Sequence, residues 1–86
     1  MSKQRYRLVR IQDLKHGNIV YDETFKRNIR LVGDAYQEGE HEGQPAWKFR
    51  YCTLHRQGAS RAVAWGVENQ ECFVYSLSLQ SVLPQL

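Results

Sequence analysis

The chain has 86 residues, 42% of them hydrophobic, 24% charged and ten aromatic, with a formal net charge of +3. That length suits one domain with a modest core, and the apolar content argues against intrinsic disorder. No apolar run approaches the roughly 18 residues of a membrane helix.

The N-terminus MSKQRYRLVR has basic residues but no apolar stretch behind them, so it does not read as a signal peptide. Cys52 and Cys72 have no further cysteines with which to build a framework, and the expectation is a cytoplasmic protein with reduced thiols. Charge is unevenly spread. Residues 1–30 hold eight Lys/Arg against three Asp/Glu, residues 31–45 hold four Asp/Glu and no Lys/Arg, and residues 46–86 hold four against two. A basic face opposed to an acidic loop suits a polyanion or an acidic protein surface.

Tyr6 to Ile11 reads as a first strand, with Leu8, Val9 and Ile11 as core contacts. Arg5, Arg7 and Arg10 suit a sheet edge, where charge discourages aggregation. A turn follows over Asp13-Leu14-Lys15-His16-Gly17-Asn18, with Gly17 at positive φ, and then the strand Ile19-Val20-Tyr21. Asp13, Leu14, Gly17 and Val20 resemble the DLxxGxxV approach to a strand common in small SH3-like barrels. The resemblance covers about ten residues; it implies a fold and carries no activity.

Tyr21 to Phe25 reads as a turn and Lys26 to Tyr36 as one long strand, with Ile29, Leu31 and Ala35 inward and Gly33 at a bulge or bend. Gln37 to Pro45 reads as an acidic loop. Ala46 to Leu54 is the most informative run: Trp47, Phe49 and Tyr51 share one parity, Lys48, Arg50 and Cys52 the other. Leu54 to Ser60 reads as a turn. Arg61 to Val67 is a strand with Val63, Trp65 and Val67 on one side and Ala62, Ala64 and Gly66 on the other, the small side allowing close approach. Glu68 to Glu71 connects to a last strand, Cys72 to Leu79, with Phe73, Tyr75, Leu77 and Leu79 on one side and Phe73 read as core. The tail Gln80 to Leu86 is expected to form one helical turn ended by Pro84. Five to six antiparallel strands without a helical period predict an all-β chain, and closure into a small SH3-like barrel would hide its edges.

Catalytic patterns are missing. His16, His41 and His55 are dispersed, and Glu38-Gly39-Glu40-His41-Glu42 reads as a solvated loop, with no second cluster to complete a metal site. Cys52 and His55 have no oxyanion loop or orienting carboxylate beside them, and no glycine-rich nucleotide loop is present. No metal or cofactor is expected.

The turn His55 to Arg61 combines Arg56, Gly58 and Arg61, either a phosphate cradle or a solubilising tip. The stronger candidate is a basic stripe of Lys26, Arg30, Lys48 and Arg50 with Tyr36 on the same parity, extended by Arg56 and Arg61. Two functions fit it. One is a non-catalytic interaction module, an adaptor or inhibitor docking on a larger protein or nucleoprotein machine with an acidic surface. The other is a nucleic-acid-binding barrel that pairs phosphates with cations and stacks bases on aromatics.

Overall fold

Every strand pairing in the computed structural model, which describes residues 5–53 and 62–80, is antiparallel. The strands are β1 (Tyr6–Arg10), β2 (Ile19–Asp22), β3 (Arg27–Leu31), β4 (Tyr36–His41), β5 (Gln44–Thr53), β6 (Ala62–Val67) and β7 (Glu71–Tyr75). A 3-10 turn over Ile11–Asp13 follows β1, and a short helix, α1 (Ser76–Gln80), follows β7. The sheet runs β1-β7-β2-β3-β5-β4, with β6 also on β5.

Strand β5 is the spine. Residues 44–48 pair with β4 and residues 51–53 with β3 along one edge, while residues 46–51 pair with β6 along the other. The run expected as one strand from Lys26 to Tyr36 is therefore two. Gly33, at φ 113, bends the chain between β3 and β4, a backbone region that costs a residue with a Cβ. Continuity with β5 survives the bend, since the Val32 N–H donates to the Arg50 carbonyl at 2.8 Å.

The acidic stretch from Gln37 to Pro45 is not a loop. It forms β4 and the start of β5, joined by Glu42-Gly43, both at positive φ (53° and 82°), as a type I′ hairpin turn requires. Polarity hid this pairing: every β4 residue after Tyr36 is exposed, so no buried face imposes an alternation.

The core is Ile11, Leu14, Val20, Ile29, Leu31, Phe49 and Val74, with Trp47, Tyr51, Ala64, Cys72 and Leu79 packed against it. Parity on β5 follows the expectation, with Phe49 buried and Trp47 and Tyr51 half-buried. On β7 the expected faces are exchanged. Val74 lies opposite Val20 and is fully buried, whereas Phe73 lies opposite Leu8 and both are exposed. Leu8 and Phe73 are thus outside the core; both faces of this pair are apolar, so alternation alone could not choose between them.

On β6 the small face turns inward. Gly66 is buried against Ile11 and Gln70, and Ala64 packs on the core. The last strand ends at Tyr75, earlier than the expected Leu79. Residues 76–80 turn into α1, because the Ser78 hydroxyl donates to the Tyr75 carbonyl at 2.7 Å and accepts the Ile19 N–H at 2.9 Å. The helical turn expected over Gln80 to Leu86 lies, apart from Gln80, outside the described residues.

The turn before β2 is held from within. Leu14 and Asn18 are both fully buried and Gly17 has φ 92. Asn18 Oδ1 accepts the Lys15 N–H at 2.8 Å, its Nδ2 donates to the Ser78 carbonyl at 3.4 Å, and its own carbonyl accepts the Leu31 N–H at 2.9 Å.

The expected closed barrel does not form among the described residues. A tight turn at Glu68-Asn69 (Asn69 φ 71) leads from β6 into β7, yet β6 pairs only with β5, while β7 pairs with β1 and β2. Three strand edges are left unpaired there. That of β1 carries Arg7 and Arg10, that of β4 carries Glu38 and Glu40, and that of β6, with the sequence AVAWGV, carries no charge.

Candidate interaction face

Residues directly opposite in an antiparallel pair share a face, so the register defines the outer surface. Arg30 lies opposite Cys52, Tyr36 and Trp65 both lie opposite Lys48, and Val63 lies opposite Arg50. Lys48, Arg50 and Cys52 alternate along β5. One continuous face therefore presents Arg30, Tyr36, Lys48, Arg50, Val63 and Trp65.

The cations on it are not equivalent. Lys48 Nζ lies 2.9 Å from Glu38 Oε1, and that hydrogen bond, reinforced by the carboxylate's charge, holds the Lys48 pKa above its ordinary value. Arg30 and Arg50 are exposed and have no ion pair among the described residues. Trp65 meets the His41 ring edge-on, centroids 4.9 Å apart. Between Gln44 and Lys48 the outward residue of β5 is Ala46, small enough to let the two rings lean across the strand above it; it is buried to 5%.

Of the predicted stripe, the structure brings Arg30, Tyr36, Lys48 and Arg50 together. Lys26 does not join them, because it lies in the β2–β3 turn at φ 55, before the strand begins. Arg56 and Arg61, with the rest of the turn from Leu54, lie outside the described residues. Sequence reasoning passed over Trp65 and Val63, which are 53% and 54% exposed on the same face. The available signal was the alternation with Ala64 and Gly66: the face with the smallest side chains is the one that approaches the core most closely.

The two thiols differ in setting. Cys52 is half-buried beside Arg30 on the outer face, and Cys72 packs against the core; both are free. Burial, and then the Glu23 carboxylate, push the Cys72 thiol up to about 11.

Comparison with protein-family models, curated proteins and solved structures finds no match, so what this face does must follow from its own geometry. No helix among the described residues is long and apolar enough to cross a membrane.

Proposed function

We propose that the protein is a small non-catalytic interaction module acting inside the cell, an adaptor or inhibitor that docks on a larger protein or nucleoprotein machine through the outer face of β3, β5 and β6. The observation that carries the reading is the register of Trp65 and Val63, each more than half exposed, beside Lys48 and Arg50. Trp, Tyr and Arg are the residue types that dominate binding hot spots, and an exposed indole ringed by cations suits an acidic surface with an apolar pocket. The strand order β7-β2-β3-β5-β6, in which the last strand returns beside the first of the meander, supports an SH3-like plan left open on one side.

A second reading, single-stranded nucleic acid, draws on the same Trp65 as a stacking platform, with Arg50 and then Arg30 on the strands beside it, neither in an ion pair among the described residues. Against it, a phosphate backbone needs a row of cations along its path, whereas Glu38 neutralises Lys48 and Glu40 and Glu42 continue along β4 and its turn; a discrete acidic patch seated on Arg30, Arg50 and Trp65 need not cross that edge. Fluorescence polarisation with labelled single- and double-stranded DNA and RNA at two salt concentrations separates the two. Weak binding at low salt, with a protein partner that is retained by the wild type and lost with both Trp65→Ala and Arg50→Glu, is the expected result. Micromolar binding of nucleic acid that falls steeply with salt overturns it.

A further inference from the structure

Where β6 and β7 part, the sheet opens into a cleft of about 410 Å³. That volume lies within the range of small-ligand sites, roughly 300–1,000 Å³. Its chemistry is opposite to that of the outer face. Its lining includes the aromatic residues Phe25, Tyr51, Trp65 and Phe73 and the acidic residues Asp22, Glu23 and Glu71, and the described lining contains no Lys, Arg or His.

Phe25 is 67% exposed and Phe73 42%, so the border of the cleft carries large apolar area open to solvent. Glu23 and Glu71 have no ion pair among the described residues; Arg10, which lies across from Glu71 in the β1–β7 register, is instead paired with Asp13 at 3.4 Å.

The border of the cleft already displays one solution to this chemistry. The Arg27 guanidinium carbon stands 4.9 Å from the Phe25 ring centroid, and Arg27 Nε lies 3.3 Å from Asp22 Oδ2. One ring face and one carboxylate thus hold one guanidinium. Along the rest of the lining, Tyr51, Trp65 and Phe73 with Glu23 and Glu71 offer the same two ingredients with no cation supplied by the described lining. The negative field extends to the cleft wall, since the Glu23 carboxylate contributes to the raised pKa of the Cys72 thiol that lines it.

We propose that this cleft binds a guanidinium group, the side chain of an arginine on a partner peptide, with its plane on an aromatic ring and its N–H groups on Glu23 and Glu71. A guanidinium is planar, less strongly hydrated than an ammonium, stacks on rings and donates in a fork to carboxylates, which matches what the cleft presents. The site borders the outer basic face at Trp65 but requires an oppositely charged ligand, and it depends on Glu23 and Glu71, which that face does not contain.

The test titrates acetyl-arginine methylamide, with the neutral isostere acetyl-citrulline methylamide as control, into ¹⁵N-labelled protein followed by NMR. Saturable shifts at Phe25, Trp65, Glu71 and Cys72 are expected, with the citrulline compound at least about fivefold weaker. The Glu23→Gln/Glu71→Gln variant, altered only at exposed side chains and checked for an unchanged fold by its spectrum, should lose a comparable factor. Equal affinity for citrulline, shifts confined to Arg30, Lys48 and Arg50, or no saturable shift at all would each overturn the proposal.

Discussion

Replacing Asn18 with alanine should cost more than any surface change in this chain, and the structure sets the size. The side chain is fully buried, accepts the Lys15 N–H at 2.8 Å and donates to the Ser78 carbonyl at 3.4 Å. A buried hydrogen bond contributes about 1 kcal/mol net, and a donor left without an acceptor costs about 1–3 kcal/mol. The Lys15 bond is short and its loss strands an N–H; the Ser78 bond is long and counts for less. Together they predict a loss of about 2–3 kcal/mol, a large share of the stability of a small domain.

With about 2.1 cal/mol/K of unfolding entropy per residue, the 86-residue chain has about 0.18 kcal/mol/K, so the Tm should fall by about 11–17 °C. Thermal unfolding by circular dichroism reads this directly. Asn18→Asp supplies the control. It keeps an oxygen for the Lys15 N–H but sets a carboxylate against the Ser78 carbonyl, and at neutral pH it should be no more stable than the alanine variant. A drop below about 4 °C for alanine, or an aspartate variant close to wild type, would show that Asn18 does not tie α1 to the turn before β2.

Two further outcomes follow from packing and charge. Gly66→Ala places a Cβ 2.5 Å from Gln70 Oε1 and 3.0 Å from Ile11 Cδ1, displacing the acceptor of the Val67 N–H and crowding the core. A loss of about 1–2 kcal/mol in urea unfolding, with m unchanged, is expected; a neutral result would mean that Gln70 and Ile11 both yield freely. In a Cys52→Ser background, Cys72, with a pKa of about 11 against an ordinary 9.0, should hold about a hundredfold less thiolate at neutral pH and alkylate correspondingly slowly in the folded chain. A folded pKa above the unfolded one stabilises the fold below about pH 9 and ceases to do so as pH rises through about 11. Cys72→Ser should therefore flatten the decline of Tm across that window, and an unchanged decline would assign it to other groups.

How much of this could be read from the residues depended on whether one face of a strand was distinctive. Trp47, Phe49 and Tyr51 against Lys48 and Arg50 left no doubt which side of β5 met the core, and pairing through Arg30–Cys52 and Tyr36–Lys48 then assembled the basic face. Where both faces are apolar, as at Leu8–Val9 and Phe73–Val74, period two identifies a strand but not its inside. Where both are polar, as along β4, it does not identify even the strand; the Glu42-Gly43 turn was the only local mark of the hairpin. The cleft was out of reach for a different reason. Phe25 comes from a turn, Trp65 from a strand edge, and Phe73 from a residue assigned to the core, and only the failure of β6 and β7 to pair brings them around one opening.

The three unpaired edges also govern how this molecule meets other chains. An incoming strand finds arginines along β1 and glutamates along β4, and among the described residues only the edge of β6 offers backbone donors and acceptors without a charge to deter it. Occupying that edge uses the uncharged one of these three, and the charged edges remain at the periphery. A second copy meeting like edge with like is therefore opposed by charge at β1 and at β4, and by none at β6.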